Sequence, residues 1–446
     1  MRWFQITTTA IAILALVASG APAVAQAPAP TPPRPLTLRD ALGIAAQQNL
    51  QLRVAAVEVQ IARAQLAQAR AAAAGQLNAQ ASYTRTQEQP PTTVVIGGTP
   101  VTIPPPSANL YDVRLVFQYP LYTGGRVEAQ VALAEANLKG AEAALQRQIQ
   151  QGVFEVRQAY FRLLLGQAGL EVVDRGIQQA TENLRVARAR VAAGASPRFD
   201  EIQADVALAN ARQQQVRARN AVQLAAQGLN ALLAFPLDTL LVLRDGFITD
   251  PVQTSLDRLM AAAQTSRPEL GELQARQAAA QAAIQLAESG AKPTVGVTAN
   301  AGYSNSGGLF GTGASASNWS MTLAATLNLF DGGITRERVR EAQLRLEQLK
   351  AVEAQTRQVI ELDVRQAHLN LQAAREEFAG ADALVAQANE ALRLAVVRFQ
   401  SGVGINLEVI TAQATASQAE AGRAQALFNY SVARAALERA VGGQVQ

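Results

Sequence analysis

Apolar and polar residues alternate along four short stretches of this chain. In 111–121, Tyr111, Val113, Leu115, Phe117, Tyr119 and Leu121 fall on one side, and Asp112, Arg114 and Gln118 on the other. That two-residue period is a β-strand with one apolar and one polar face. Leu77, Ala79, Ala81 and Tyr83 repeat the pattern, as do Val295, Val297, Ala299, Ala301 and Tyr303, and then Trp319, Met321, Leu323, Ala325, Leu327 and Leu329. Strands are expected over about 76–86, 110–121, 294–304 and 319–330. Aromatics gather near their ends at Tyr83, Tyr119, Tyr122, Tyr303, Trp319 and Phe330, as at a membrane interface. The period then changes. From Gly124 to Gly194, and from Gly332 to Gly402, there is no proline, and apolar residues recur at three- and four-residue steps, as in Val153, Val156, Tyr160, Leu163 and Leu164. Two packed helices are expected there, each roughly 105 Å long at about 1.5 Å per residue. Shorter helices are expected at about 37–74, 199–234, 255–291 and 406–441. Two of these stacked end to end match one long helix.

The chain is written twice. A shift of 208 residues lays 119–233 on the second half without a gap, placing "PLYTGGR" on "NLFDGGI" and "VRQA" at 156 on "VRQA" at 364. Leu184, Arg185, Ala187, Arg190 and Gly194 fall on Leu392, Arg393, Ala395, Arg398 and Gly402. A looser match relates "LRDALGIAAQQNLQL" to "LDRLMAAAQTSRPEL". The expected organisation is a secretory signal at 1–25, a proline-rich leader at 26–35, a first repeat at 36–234, an irregular connector at 235–254 and a second repeat at 255–446. The signal reading rests on one basic residue, an apolar run and an Ala-Val-Ala ending.

Composition narrows the picture. The chain lacks cysteine and carries a net charge of +4 without a basic block, so it offers no thiol chemistry and no nucleic-acid footprint. No later segment has 18 consecutive apolar residues, which leaves a closed β-barrel as the route through a bilayer. Strands of about 9–12 residues suit that crossing, but about eight strands are the practical minimum for a barrel. Four per chain must therefore be pooled. A dimer supplies eight and a trimer twelve, and polar inner positions favour the wider lumen. The fold class expected is mainly α with a membrane β-barrel, the helices continuing the barrel as a tube. The segments 89–109 and 305–318, rich in Pro, Gly, Ser and Thr, are expected as hairpin tips.

Candidate chemistry is sparse. His368 is the single histidine, and without companions it reads as a packed or lumen-facing helix position. Glu376 and Glu377 are adjacent on a helix and point apart. No catalytic, metal or cofactor site is expected. The turns at 190–202 and 398–410 are more informative. Gly194 and Gly402 end the longest helices in equivalent places, as left-handed caps would. Asp200 and Glu408 begin the returning helices, where a carboxylate suits the positive helix end.

With its duplication, "LTLRDALGIAAQQN", the "PLYTGG" and "LFDGG" junctions, "RPEL" and the "RVAAGASPRFDE" and "RFQSGVGINLEV" turns, the mature chain resembles the TolC-like outer-membrane efflux family, the outer membrane factors of tripartite efflux systems. Gly75 departs from the family, which often has proline there. The resemblance implies a homotrimer with a twelve-strand barrel in the outer membrane and a helical tunnel reaching into the periplasm. It implies a passive exit duct, opened at its periplasmic tip by an adaptor protein tied to an inner-membrane transporter. Protein secretion of type I and metal-ion efflux use the same architecture, and a soluble periplasmic coiled-coil scaffold is the alternative of another class. By resemblance Glu408 matches an acidic position that narrows the aperture, with Asp200 as its counterpart in the other repeat; Thr411 stands where a second acid is common. Arg190, Gly194, Ser196, Arg398, Gly402 and Gly404 are the expected adaptor contacts.

Overall fold

The computed structural model describes residues 34–87, 90–103, 109–305 and 315–443. The expected signal, most of the leader and the centre of the 305–318 tip lie outside them. In chain order the elements are β1 (Arg34–Leu36), α1 (Leu38–Gln48), α2 (Leu50–Ala71), β2 (Gln76–Arg85), β3 (Thr92–Ile96), β4 (Thr99–Ile103), β5 (Asn109–Tyr122), α3 (Arg126–Ala192) and α4 (Arg198–Leu232). They continue with β6 (Leu241–Leu243), α5 (Leu256–Ser266), α6 (Pro268–Glu288), β7 (Thr294–Asn305), β8 (Ser315–Thr326), α7 (Ile334–Gln400) and α8 (Asn406–Val441).

One antiparallel sheet runs β2-β5-β7-β8. Its alternating faces differ as the sequence pattern requires: Leu77, Val113, Leu115, Leu323 and Met321 stand exposed on one side, while Gln80, Arg114 and Asn318 share register positions on the other. Tyr83 and Tyr111 pack with ring centroids 5.0 Å apart near the hairpin tips. The fourth strand ends at Thr326, not at 330 as its alternation suggests. Thr326 pairs with Thr294, the first residue of β7, and Pro293 before it has no N–H to extend the ladder. Residues 92–103, within the 89–109 segment expected as a hairpin tip, form a hairpin of their own, β3–β4, around Gly97-Gly98. The end of the expected leader is also structured, because Arg34–Leu36 pairs in parallel with Leu241–Leu243 in the connector.

Each strand-to-helix junction is a glycine pair. Gly124 and Gly125 have φ of +67° and +86°, and Gly332 and Gly333 +68° and +89°. Two consecutive left-handed residues suit glycine alone, and they swing the chain from the sheet into the long helices. α3 and α7 each have 67 residues, about 100 Å at 1.5 Å per residue. The helices expected as single units at 37–74 and 255–291 are each divided. Asn49 takes an extended ψ of 123° and its Oδ1 accepts from the N–H groups of Gln51 and Leu52. Arg267 is extended because Pro268 follows it.

Small residues set the packing along α3. Gly140 faces Ala275 of α6, Gly152 faces Leu52 of α2, Gly166 faces Val222 of α4 and Gly176 faces Ser417 of α8. The long helix thus has α2 and α6 beside its barrel-side half and α4 and α8 beside the other. Two buried clusters mark the level where the short helices meet. Val156, Tyr160, Phe161, Leu163 and Leu229 form one with Leu36 and the connector; Val364, Leu371 and Leu437 occupy the equivalent places in the other. Gly75 is explained by its neighbour: a Cβ there would lie 2.7 Å from the Phe117 ring.

Candidate functional site

The far ends of α3 and α7 carry the residues singled out by sequence. Both helices stop on a left-handed glycine, Gly194 at φ +71° and Gly402 at φ +79°. The two stops close their turns alike at first: Ala195 N–H donates to the Arg190 carbonyl at 2.8 Å, and Val403 N–H to the Arg398 carbonyl at 3.0 Å. In the second turn Gly404 N–H adds a bond of 2.9 Å to the same carbonyl. A Cβ at 404 would sit 3.0 Å from that of Arg398 and 3.1 Å from Glu408 Oε2, so Gly404 is needed for local packing.

Six of the expected residues come together. Arg190 donates to the Phe399 carbonyl and stacks its guanidinium 4.6 Å over the Phe399 ring. The same guanidinium lies 3.8 Å from where a Cβ on Gly402 would be. Arg398 reaches Glu408 at 3.4 Å across the turn, with Glu408 still 42% exposed; Gly404 lies between them. Asp200 joins through its backbone, whose carbonyl accepts from Asn406 Nδ2 at 3.0 Å. The acid that pairs in its turn is Glu201, 3.2 Å from Arg188. Gly194 and Ser196 lie in the first turn, away from this cluster, and Thr411 is exposed one helical turn beyond Glu408.

Three contact positions carry no signal in the sequence. Phe399, Asn406 and Gln413 carry the contacts between the two hairpins, the last by donating to the Gly176 carbonyl at 3.1 Å. Just behind the tip, Val186, Leu392, Val396, Phe399, Val409 and Gln413 line a cleft of about 390 Å³. The arrangement offers apolar walls, amide edges and one paired carboxylate. Among the described residues no group of His, Cys, Asp or Glu is placed to hold a metal ion. Among the described residues no helix is long and apolar enough to cross a membrane. His368 bonds Gln372 at 3.1 Å on its own helix.

A family model described as outer membrane efflux protein matches residues 41–234 and 259–443. Protein CyaE of Bordetella pertussis is 26% identical over 309 residues, 68% of this chain. The match spans 64% of that relative, less than two thirds of it. Outer membrane protein OprJ of Pseudomonas aeruginosa is 28% identical over 347 residues, covering 75% of this chain and 71% of OprJ. The crystal structure of a membrane protein from Pseudomonas aeruginosa superimposes with a TM-score of 0.76 at 27% identity, over 92% of this chain and 90% of that one.

Proposed function

This chain belongs to the outer membrane efflux protein family, and on that premise we propose that it is the passive exit duct of a tripartite efflux system. Three copies pool their strands into a twelve-strand barrel in the outer membrane, and the long helices carry the same tube into the periplasm. A periplasmic adaptor, tied to an inner-membrane transporter, engages the tip at Arg190, Gly194, Ser196, Arg398, Gly402 and Gly404. Glu408 narrows the aperture, with Asp200 and Thr411 beside it. No cofactor takes part, since the work is conduction and not chemistry.

One observation carries this reading. The four-stranded sheet has β2 and β8 as edges without a partner strand among the described residues, one of its faces is apolar and exposed, and it runs through glycine junctions into 67-residue helices. In lipid each unpaired backbone group costs several kcal/mol, so the edges need strands from further copies. Native mass spectrometry in mild detergent is expected to give three chains. A monomer retaining full strand content would defeat the proposal.

A further inference from the structure

Just below the sheet, the helices enclose a second cleft. α6 lies between α3 and α7, and its Ala279, Ala283 and Leu286 form the floor of a space of about 670 Å³. Leu133 of α3 and Leu349 of α7 stand at its sides. Its charged lining is three arginines, Arg126, Arg338 and Arg345, against one acid, Glu341. That acid is held by Arg345 at 2.5 Å, and Glu337 nearby is held by Arg336 at 3.2 Å. Arg126 and Arg338 are exposed and make no ion pair among the described residues. The cleft is thus apolar at its floor and positive at its rim.

The fold does not require these charges. A shift of 208 residues lays Arg338 and Arg345 on Gln130 and Asn137, neutral residues at the same places on α3. Nor do they balance the sheet above. The only charged side chains on the polar face of β2, β5, β7 and β8 are Asp112 and Arg114, which pair with each other at 2.7 Å.

Register decides which side of the wall the arginines take. Arg147 reaches Glu272 of α6 at 3.3 Å, and Gly140, two turns earlier, faces Ala275 of the same helix. Helices packed in such a seven-residue register turn about 103° per residue relative to their neighbours. Val156 of α3 clusters with β1 and the connector, and Val364 of α7 with α5. These two valines mark the outer face, since a tube has room for that added bulk only outside. Arg126 stands two positions off the register of Val156, and Arg338 and Arg345 two positions off that of Val364. Two positions are about 155° of rotation, so all three arginines face the bore.

We propose that this cleft binds an amphipathic organic anion, its apolar part on the α6 floor and its acidic head on Arg126 and Arg338. That such an anion is cargo rests on the reading of the chain as a duct; the cleft itself is built by one chain. Burial of an alkyl or ring portion against alanine and leucine removes apolar surface from water. The planar guanidinium fork matches the oxygens of a carboxylate, sulfate or phosphate. An equally apolar cation meets two unpaired arginines and is disfavoured. The volume is that of a small-molecule site.

The absence of cysteine makes the cleft directly testable. Full-length Ala283→Cys protein in phosphatidylcholine nanodiscs carries a single thiol on the floor. Its rates with sulfonatoethyl and trimethylammonioethyl methanethiosulfonate are compared with those of free cysteine. The anionic reagent is expected to be favoured several-fold more than on free cysteine, and Arg126→Gln/Arg338→Gln to remove that preference. Octyl sulfate below its micellar concentration is expected to slow labelling several-fold, whereas inorganic sulfate and octyltrimethylammonium leave it nearly unchanged. An unreactive thiol, a reagent preference that survives loss of both arginines, or equal protection by the two octyl compounds overturns the site. Equal protection by sulfate alone overturns its amphipathic character. Any of these in a protein that native mass spectrometry shows to be trimeric leaves the duct reading standing. A monomer that keeps the preference defeats the duct reading, and with it the role of the anion as cargo.

Discussion

Arg190 and Arg398 occupy the same place in the two repeats, one turn before the glycine that ends each long helix, and they do different things. Arg190 leaves its own hairpin and grips the other, bonding the Phe399 carbonyl and covering the Phe399 ring. Arg398 stays within its hairpin and faces Glu408. The backbone of the tip is thus repeated while the charges divide the labour. One arginine couples the hairpins, and its twin tempers the carboxylate assigned to the aperture.

Removing the coupling arginine is the most disruptive way to break this comparison. Arg190→Ala forfeits a charged hydrogen bond of about 1.5–3 kcal/mol and a cation–π contact of about 0.5–1 kcal/mol. Amides of 400–408 are expected to exchange with solvent markedly faster, while Arg398→Ala has a lesser effect there. Equal acceleration in both variants would erase the distinction. The carboxylate gives a sharper test with opposite signs. Glu408→Ala is expected to weaken block of single-channel current by multivalent cations applied at the periplasmic end, since it removes converging negative charge. Arg398→Ala is expected to strengthen that block, and Asp200→Ala to leave it nearly unchanged. Strong loss on Asp200→Ala would move the constriction to the first hairpin.

The smallest expected effect lies at the opposite ends of the same helices, where Thr123 and Asp331 are equivalent. Thr123 Oγ1 accepts from Val127 N–H at 3.2 Å, and Asp331 accepts from the N–H groups of Gly333 and Thr335 at 2.9 and 2.8 Å. The Thr335 side chain first, then these backbone donors, hold the Asp331 carboxyl below its ordinary pKa of 3.8. A depressed carboxylate stabilises the fold fully above the ordinary value, and that contribution is lost as pH falls through the depressed one. The α7 junction is therefore expected to loosen in acid while the α3 junction does not. Asp331→Asn should abolish the difference, measured by hydrogen exchange of 333–337 against 125–129.

Most of the architecture was legible because the sheet has one apolar face and the helices have packed seams, and both leave periods in the sequence. Where the period was misleading, pairing had the final word: Leu327 and Leu329 continue the alternation of β8, but β7 begins at Thr294 and offers them nothing. The hairpin at 92–103 carried a legible signal in Gly97-Gly98 between alternating residues, which the surrounding prolines and threonines obscured. β1 and β6 have three residues each, too few for any period to register. The tip was legible only in part. Gly194, Gly402 and the two arginines stand out once the repeats are overlaid. The grip of Arg190 on Phe399 joins positions in different repeats, and no local pattern announces such a contact.

The equal length of α3 and α7 has a consequence for how such a chain can change over time. At 3.6 residues per turn, one inserted residue turns everything beyond it by about 100° and advances it about 1.5 Å. A single insertion midway along α3 would swing Arg190 off Phe399 and rotate every small seam residue below it out of its groove. Seven residues, close to two full turns, nearly restore the facing but push one hairpin about 10 Å past its twin. The tube can therefore be lengthened only by matched insertions in both long helices and in the short helices stacked beside them. Lineages with a deeper or shallower periplasm would have to step in matched insertions close to whole turns, such as seven or eleven residues, whereas the hairpin tips outside the barrel are free to drift one residue at a time.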